Sequence, residues 1–294
     1  MEVVPVKFAV IGGDARSAWL AALLAADGHA VRCYALEKAA LPQKIAQCSS
    51  PEACAYGADW VLLGVPAEKD GVISTPLSMQ RLTPGELLAA LWPGQTLCGG
   101  RLAQETSLAT IRAGLSVCEL MTRRDYTVGN AALTAEGTIG LLIRESPRSL
   151  WRGRALVTGW GRIARNLAPR LRALCCETTV AARKPGDRAE AEAMGLRACR
   201  FAELPELAGE LDFAINTVPA PVLEKDVLER LRPDSLLVEL ASGPGFDKSL
   251  AEDLGLHAVS APGLPGKSAP CAAAGLVRDT IYAVIREREE KHER

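Results

Sequence analysis

Two α/β domains, each built on a doubly wound parallel sheet and joined by a helix, are what this 294-residue chain predicts. Three observations carry that expectation. Apolar runs of strand length alternate with helical patterns from one end to the other, which implies consecutive βα units with right-handed crossovers. The length exceeds that of one typical domain. And a strand–glycine–helix opening occurs twice, at Ile11-Gly12-Gly13 and at Thr158-Gly159-Trp160-Gly161.

In the first half, strands are predicted at Val6–Ile11, Ala30–Tyr34, Trp60–Leu63, Thr96–Cys98 and Ser116–Leu120. Helices fall at Ser17–Ala26, Gly85–Leu91 and Ala103–Ala113, the second opened by the capping box Thr83-Pro84-Gly85-Glu86 with Pro at its first position. Gly129–Arg144 is helical without a partner strand and suits a linker. In the second half, strands are predicted at Ala155–Thr158, Thr178–Ala182, Phe213–Asn216, Leu236–Glu239 and Ala258–Ser260. A helix follows the second glycine turn through Leu174, and another, capped by Asp187 with Glu190, ends at Gly195. The last helix, Cys271–Glu290, turns polar beyond Arg286 and is expected to fray. The domains are therefore expected at 1–129 and 145–270, with a linker at 130–144 and a terminal helix at 271–294.

Composition narrows the function. Hydrophobic residues make up 48% and charged residues 23%, ordinary for a chain with sizeable cores, and the formal net charge of -1 leaves no footprint for nucleic acid or an anionic membrane. There is no apolar run of about 18 residues, and the start reads as a strand, not a signal peptide. Nine scattered cysteines without C-x-x-C spacing, most in apolar context, look like reduced small hydrophobes in a cytosolic protein. His29, His257 and His292 form no ligand-like cluster, so no metal site is expected.

The second glycine turn carries the chemistry. Arg154-Ala155-Leu156-Val157-Thr158 leads into Gly159-Trp160-Gly161-Arg162-Ile163-Ala164, a Gly-x-Gly-x-x-Ala between strand and helix. That is the dinucleotide fingerprint in its required context, on a Rossmann-like domain. Gly159 allows the tight turn, Gly161 lets the backbone approach a pyrophosphate, and Ala164 lets the helix lie close to the strand. The helix start offers unpaired N–H groups to the phosphates. The next strand ends in Arg183-Lys184, where NAD-preferring sites place Asp or Glu. Arg183 therefore argues for the 2′-phosphate of NADP(H). Three loops complete the set: Asn216-Thr217-Val218-Pro219, Ala241-Ser242-Gly243-Pro244-Gly245 and Ala261-Pro262-Gly263-Leu264-Pro265-Gly266-Lys267. Following three successive strands, they are placed to hold the nicotinamide ribose and amide.

The first glycine turn, Gly12-Gly13-Asp14-Ala15-Arg16-Ser17, lacks the fingerprint spacing, and Asp14 would repel a pyrophosphate. Either Arg16 clasps a substrate carboxylate at a helix start, or Asp14 merely caps that helix and Arg16 is solvated.

These strings resemble the A subunit of dipicolinate synthase from spore-forming bacteria. The likeness runs over roughly residues 6 to 280. It is carried by Ile11-Gly12-Gly13-Asp14-Ala15-Arg16, Asn130-Ala131-Ala132-Leu133-Thr134-Ala135-Glu136-Gly137-Thr138-Ile139, Gly159-Trp160-Gly161-Arg162, Ala181-Ala182-Arg183 and Met194-Gly195-Leu196. Ile215-Asn216-Thr217-Val218-Pro219, Leu240-Ala241-Ser242 and Ala261-Pro262-Gly263-Leu264-Pro265-Gly266 continue it. The departures are Ala164 for a usual Gly, a short loop after Ser242, and Lys267-Ser268 in place of apolar residues. The resemblance implies an NADP-linked oxidation in the cytoplasm of the sporulating mother cell. It also implies pyridine-2,6-dicarboxylate as product from hydroxy-tetrahydrodipicolinate, in partnership with a flavoprotein-like B subunit; a homo-oligomer stays open.

Such chemistry needs a hydride acceptor, loss of water and a proton, and cationic clamps for a dicarboxylate. Arg16 and the segment Met121-Thr122-Arg123-Arg124-Asp125 are the candidate clamps. Glu136 is the candidate base, or else a backbone partner at the hinge. Two other readings compete: a D-2-hydroxyacid dehydrogenase, although the last loop lacks the histidine such enzymes need, and a non-catalytic NADP-binding component of a flavoprotein complex.

Overall fold

The computed structural model describes residues 5–292. The chain forms two compact units, residues 1–130 with 265–294, and residues 131–264.

In the first unit the strands β1 (Lys7–Ile11), β2 (Ala30–Tyr34), β3 (Ala46–Gln47) and β4 (Trp60–Leu62) precede a small antiparallel hairpin, β5 (Glu68–Lys69) and β6 (Val72–Ile73). β7 (Thr96–Gly99) and β8 (Ser116–Glu119) follow, and the six-stranded parallel sheet has the order β3-β2-β1-β4-β7-β8. The helices in this half are α1 (Ala15–Ala26), α2 (Pro51–Ala55), α3 (Pro84–Ala89) and α4 (Gln104–Arg112). The Thr83–Glu86 capping box starts α3 as its sequence predicts. The N-cap of α4, Ala103, carries no capping side chain. Glu68 on the hairpin supplies one, accepting from Ala103 N at 3.0 Å and Thr106 Oγ1 at 3.0 Å. Sequence patterning overlooks that hairpin, yet its turn, Asp70-Gly71, lies in the left-handed region at φ 53° and 75°, as a two-residue hairpin requires.

α5 (Arg124–Glu145) is one helix of 22 residues. The linker expected at 130–144 therefore begins six residues earlier, and the boundary between the units falls inside it, after Asn130. The second unit repeats the architecture with β9 (Arg154–Thr158), α6 (Arg162–Ala173), β10 (Glu177–Ala181), α7 (Pro185–Ala193), β11 (Arg197–Cys199) and α8 (Leu204–Leu207). It continues through β12 (Phe213–Asn216), α9 (Lys225–Leu228), β13 (Leu236–Glu239), α10 (Lys248–Asp253) and β14 (His257–Ser260). The order is β11-β10-β9-β12-β13-β14, all parallel. Both sheets thus share one doubly wound topology. Cores flank the second sheet on both faces, one built on Val157, Val180, Ile215 and Val238 and the other on Leu156, Ala181, Ala214 and Leu237. One expectation fails at α7: its N-cap is Lys184 without a side-chain cap. Pro185 at the first position starts the helix earlier, and Asp187 lies inside the first turn, 4.0 Å from Arg165.

α11 (Leu264–Ser268) spans the second boundary, and α12 (Pro270–His292) returns to the first unit to pack on α1. The terminal helix is thus part of the first unit's fold, and it runs to His292, with two side chains beyond Arg286 engaged by the sheet's own residues and loops. Glu287 accepts two guanidinium hydrogen bonds from Arg123 at 2.7 Å, and Arg288 donates to Thr96 Oγ1 at 2.6 Å while lying 5.0 Å from the Trp60 ring centre. Residues 1–4 and 293–294 of the expected segments lie outside the described residues. All nine cysteines are free thiols, and burial pushes Cys33 up to about 12 and Cys176 and Cys199 up to about 11.

α12 is also held through His29. Val6 N donates to His29 Nδ1 at 3.2 Å, which makes Nε2 the protonated nitrogen facing Tyr282 Oη at 2.9 Å, and Tyr282 donates to Asp27 at 2.8 Å. Burial lowers the His29 imidazole below its ordinary value, against the opposing pull of Asp27. A depressed histidine favours folding only while neutral, so its contribution is complete above the unfolded value of 6.5 and is lost as pH falls below it. The urea midpoint of the chain is expected to drop between pH 7.5 and pH 5.5, and His29→Gln to flatten that dependence; equal slopes for both proteins would refute the assignment.

Candidate functional site

A parallel sheet puts the carboxyl ends of its strands on one edge, and doubly wound folds bind ligands there, where strand order reverses. In the second unit the reversal lies between β9 and β12. The loops that sequence reasoning singled out, at Gly159–Ile163, Arg183–Lys184, Asn216–Pro219, Ala241–Ser242 and Pro262–Gly263, follow β9, β10, β12, β13 and β14. Those strands are consecutive neighbours, so the sheet gathers all five loops on one edge.

Gly159 leaves β9 at φ 81° and donates its N–H to Ala181 O at 2.7 Å. A Cβ there would fall 2.8 Å from Val218 Cγ2 and 3.1 Å from Thr217 Oγ1. Conformation and space both require glycine. Gly161 differs. Its backbone is extended, and a Cβ would meet nothing within 4 Å. It is the N-cap of α6 and supplies no side-chain cap to the first turn. Unfilled space beside uncapped N–H groups at the positive end of a helix is what a pyrophosphate needs. Arg162 is exposed at the first position, Ile163 half-buried, and Ala164 fully buried against the sheet. Trp160 is only 5% exposed, and its indole N–H has no hydrogen-bond partner, an unmet donor within the same turn.

At the end of β10, Arg183 and Lys184 are exposed and their side chains make no ion pair or hydrogen bond among the described residues. No carboxylate stands at the strand end. Asp187 and Glu190 on α7 face Arg165, at 4.0 Å and 2.7 Å. The residues present fit a nicotinamide dinucleotide.

Asn216 plays a different part from the one its loop suggests. Fully buried, it donates through Nδ2 to Val218 O and to Glu239 Oε1, both at 2.8 Å, and accepts through Oδ1 from Thr158 Oγ1 at 2.5 Å and Val218 N at 3.1 Å. All four hydrogen-bonding positions of the amide are filled. What it fixes is the shape of the loop that follows β12. Glu239 completes the knot: Oε1 also accepts from Ala241 N at 2.8 Å, and Oε2 from Gly245 N at 2.7 Å. Gly245 lies against Asn216 so closely that a Cβ would overlap the amide. Thr217 donates its hydroxyl to Thr158 O at 2.5 Å. The parts played by Thr158 and Glu239 escaped sequence reasoning, which had placed them only at strand ends, and Gly245 was read only as part of its loop. The one available signal was an acidic residue ending the apolar run Leu236–Glu239 before a glycine-rich turn.

In the first unit the glycine turn is closed by the chain itself. Gly12 and Gly13 have φ of 62° and 87°, and Gly13 N donates to Ser74 O at 2.7 Å. A Cβ on Gly12 would stand 2.7 Å from that same carbonyl. The segment after β6 thus occupies the place a pyrophosphate would take. Asp14 caps α1 through Arg16 N at 3.0 Å and also receives the Arg16 guanidinium, Nη2 at 2.7 Å and Nε at 3.0 Å. Arg16 donates further to Val65 O and is 6% exposed. Burial by itself would raise the Asp14 carboxyl, but the guanidinium overrides it and holds the group below its usual range. Arg16 is therefore neither solvated nor an open cation: the nearest anion, two residues upstream at the N-cap, has taken it. Gly266 lies on this pair, where a Cβ would be 2.6 Å from Arg16 Nε. Arg123 is engaged by Asp125 and Glu287, whereas Arg124 is exposed and makes no side-chain bond among the described residues. Glu136, in the second unit, is exposed on α5 and likewise unpaired among them. Lys267 is exposed.

Comparison with known proteins agrees with this geometry. Residues 7–121 match the N-terminal domain of the A subunit of dipicolinate synthase, and residues 120–260 match the NAD-binding domain of D-isomer-specific 2-hydroxyacid dehydrogenases. The chain is 31% identical over 288 residues to the dipicolinate synthase A subunit of Bacillus subtilis, covering 96% of each. It belongs to the family of dipicolinate synthase A subunits. The crystal structure of the Bacillus halodurans member superposes with a TM-score of 0.83 at 25% identity, over 95% of this chain and 97% of that one. D-lactate dehydrogenase from Escherichia coli shares the fold alone, with a TM-score of 0.61 at 14% identity over 97% and 98%. The chain is an NAD(P)-dependent oxidoreductase with a nicotinamide dinucleotide as cofactor.

Two substitutions test the site. Gly161→Val puts branched carbons into the open approach without straining the backbone. NADPH affinity is expected to fall at least about tenfold (a loss near 1.4 kcal/mol), with an unchanged melting temperature; wild-type affinity would move the cofactor elsewhere. Glu239→Gln turns an acceptor into a donor facing N–H groups and is expected to lower stability by about 1–3 kcal/mol, read by chemical denaturation, with weaker NADPH binding.

Proposed function

We propose that this chain is the NADP(H)-linked component of an enzyme that forms pyridine-2,6-dicarboxylate from 4-hydroxy-tetrahydrodipicolinate in the mother-cell cytoplasm of a sporulating bacterium. The observation that carries the reading is the open Gly161 turn with unpaired Arg183 and Lys184 at the end of β10. The relatives' name, dipicolinate synthase, supports the product. Their designation as the A member of that synthase supports a second component, here a flavoprotein-like B subunit.

Reaching the aromatic diacid from that substrate removes one water, one hydride and one proton. NADP⁺, held by the residues around Gly161 and Arg183, would supply the hydride acceptor. The loops held by Glu239 and Asn216 give the cofactor a rigid seat, and Gly159–Ile163 presents N–H donors to its phosphates. Arg183, helped by Lys184, forks the 2′-phosphate. Glu136, carrying an unengaged carboxylate, accepts the proton. Arg16 is the carboxylate partner on the substrate side, and a substrate carboxylate exchanges with Asp14 for its guanidinium. The D-2-hydroxyacid dehydrogenase alternative needs a histidine in the loop after the last strand of the sheet, and residues 261–270 hold none; of the described side chains, His29 is tied to Tyr282 and His257 opens β14 at the opposite, amino end of the strand.

Purified chain, NADP⁺ and the hydroxy-tetrahydrodipicolinate, with and without the partner protein, should yield NADPH absorbance and dipicolinate. Dipicolinate without NADPH would overturn the redox assignment. Arg183→Ala should remove about 1.5–3 kcal/mol of a preference for NADPH over NADH, tenfold or more in dissociation constant. Equal affinity of the unaltered chain for both would sink it. In calorimetry Arg16→Ala should weaken dipicolinate binding by at least about tenfold while sparing NADPH; unchanged dipicolinate affinity would leave Arg16–Asp14 a purely structural pair.

A further inference from the structure

We infer that Arg188 is a positioning residue for cofactor choice: it holds the Ala182–Arg183 turn in the shape from which Arg183 and Lys184 receive a 2′-phosphate. The inference rests on the NADP(H) reading above and names a residue that reading does not use.

The turn has little of its own to hold it. β10 ends at Ala181, and β11 ends at Cys199, its partner in register. One further ladder bond forms, Ala182 N to Cys199 O at 3.1 Å. Beyond it the carbonyls of Ala182 and Arg183 have run out of strand. Arg188, one turn into α7, reaches back and donates Nη1 to both, each at 2.9 Å. One guanidinium nitrogen thereby fixes two consecutive peptide groups. The chain between them carries the Arg183 side chain, and Lys184 follows directly as the N-cap of α7.

A purely structural role, tying α7 to the rest of the unit, is already filled by α6 and the core. Glu190 receives Arg165 at 2.7 Å, Ala191 is fully buried in the core, and Arg172 donates to Met194 O at 3.0 Å just past the helix end. The bonds of Arg188 go only to the turn. Its position also sets the local field. Arg188 brings a third positive charge beside Arg183 and Lys184, while of the three acids of α7 two, Asp187 and Glu190, are drawn to Arg165 on α6, and Glu203, the acid that acts on Arg188, is paired with Arg200. A dianionic phosphate in that field meets three cations and acids, Asp187, Glu190 and Glu203, each partly neutralised by an arginine. The 2′-hydroxyl of NADH gains little from the same charges.

The test compares ligands that differ only in the 2′-phosphate. Calorimetric titration of the full chain with 2′,5′-ADP against 5′-AMP, and NADPH against NADH, is run on wild type, Arg188→Ala and Arg188→Lys. Arg188→Ala is expected to weaken 2′,5′-ADP and NADPH at least about fivefold and to leave 5′-AMP and NADH within about twofold. Lys can donate to one carbonyl and keeps the charge, so it should recover part of the loss. Equal weakening of both ligands of a pair by Arg188→Ala, or no change in 2′,5′-ADP, would overturn the inference while wild-type discrimination left the NADP(H) reading intact. Failure of wild type itself to prefer 2′,5′-ADP would overturn that reading and the inference with it. Should Arg188→Ala melt early, Arg188→Lys decides alone, by whether the ratio of the two affinities moves.

Discussion

A single buried carboxylate organises the edge of the second sheet. Glu239 ends β13, is 9% exposed, and accepts hydrogen bonds from Asn216, Ala241 and Gly245. A charge removed from water is tolerated only when donors surround it, so the loop after β13 must keep its N–H groups turned inward. Through Asn216 the constraint passes to Thr158 at the end of β9, and through Thr217 and Val218 to the space around Gly159. Three strand ends and the fingerprint turn therefore share one network. The site gains rigidity because it hangs on a carboxylate that cannot be left unmet.

The two units show how far one topology can diverge at its most characteristic place. Both sheets run in the same order and both open with a glycine turn at positive φ. In the second unit the amino end of α6 is bare and the approach beside Gly161 is clear. In the first, Ser74 O lies over the turn and Asp14 fills the helix start with its own carboxylate. The difference is local. A short hairpin inserted between β4 and β7 delivers Ser74, and one acidic residue at the N-cap does the rest. An anion brought by the chain serves the helix dipole as well as one brought by a ligand.

Much of this was legible along the sequence. Ten strands of the two sheets are short apolar runs bounded by glycine or polar residues and are decided locally, whereas the edge strands β3 (Ala46–Gln47) and β11 (Arg197–Cys199), two and three residues long and partly polar, went unpredicted. The Gly159–Ala164 fingerprint was readable because its glycines answer to backbone geometry close in the chain, and Arg183 because its place is fixed by counting from the turn. The Asp70-Gly71 hairpin was overlooked because its strands of two residues are too short for any period to show. The capping of α7 was misread because Asp187 and Glu190 look like a box, yet Pro185 starts the helix first and Arg165, from another helix, takes both acids.

What the sequence determined by itself is the pair of doubly wound sheets, the glycine turn that follows β9 and the exposed basic pair that follows β10, because each depends on spacing within one βα unit. The tertiary structure alone decided which polar groups are engaged. Arg16 is buried against Asp14, Val65 and the backbone of Gly266; Asn216 is saturated; Arg188 grips the turn beside Arg183; α12 packs back on α1 in the first unit. Those outcomes turn on contacts between segments far apart in the chain. A hydrogen bond across such a distance leaves no period or motif behind, only a polar residue whose partner the fold must bring to it.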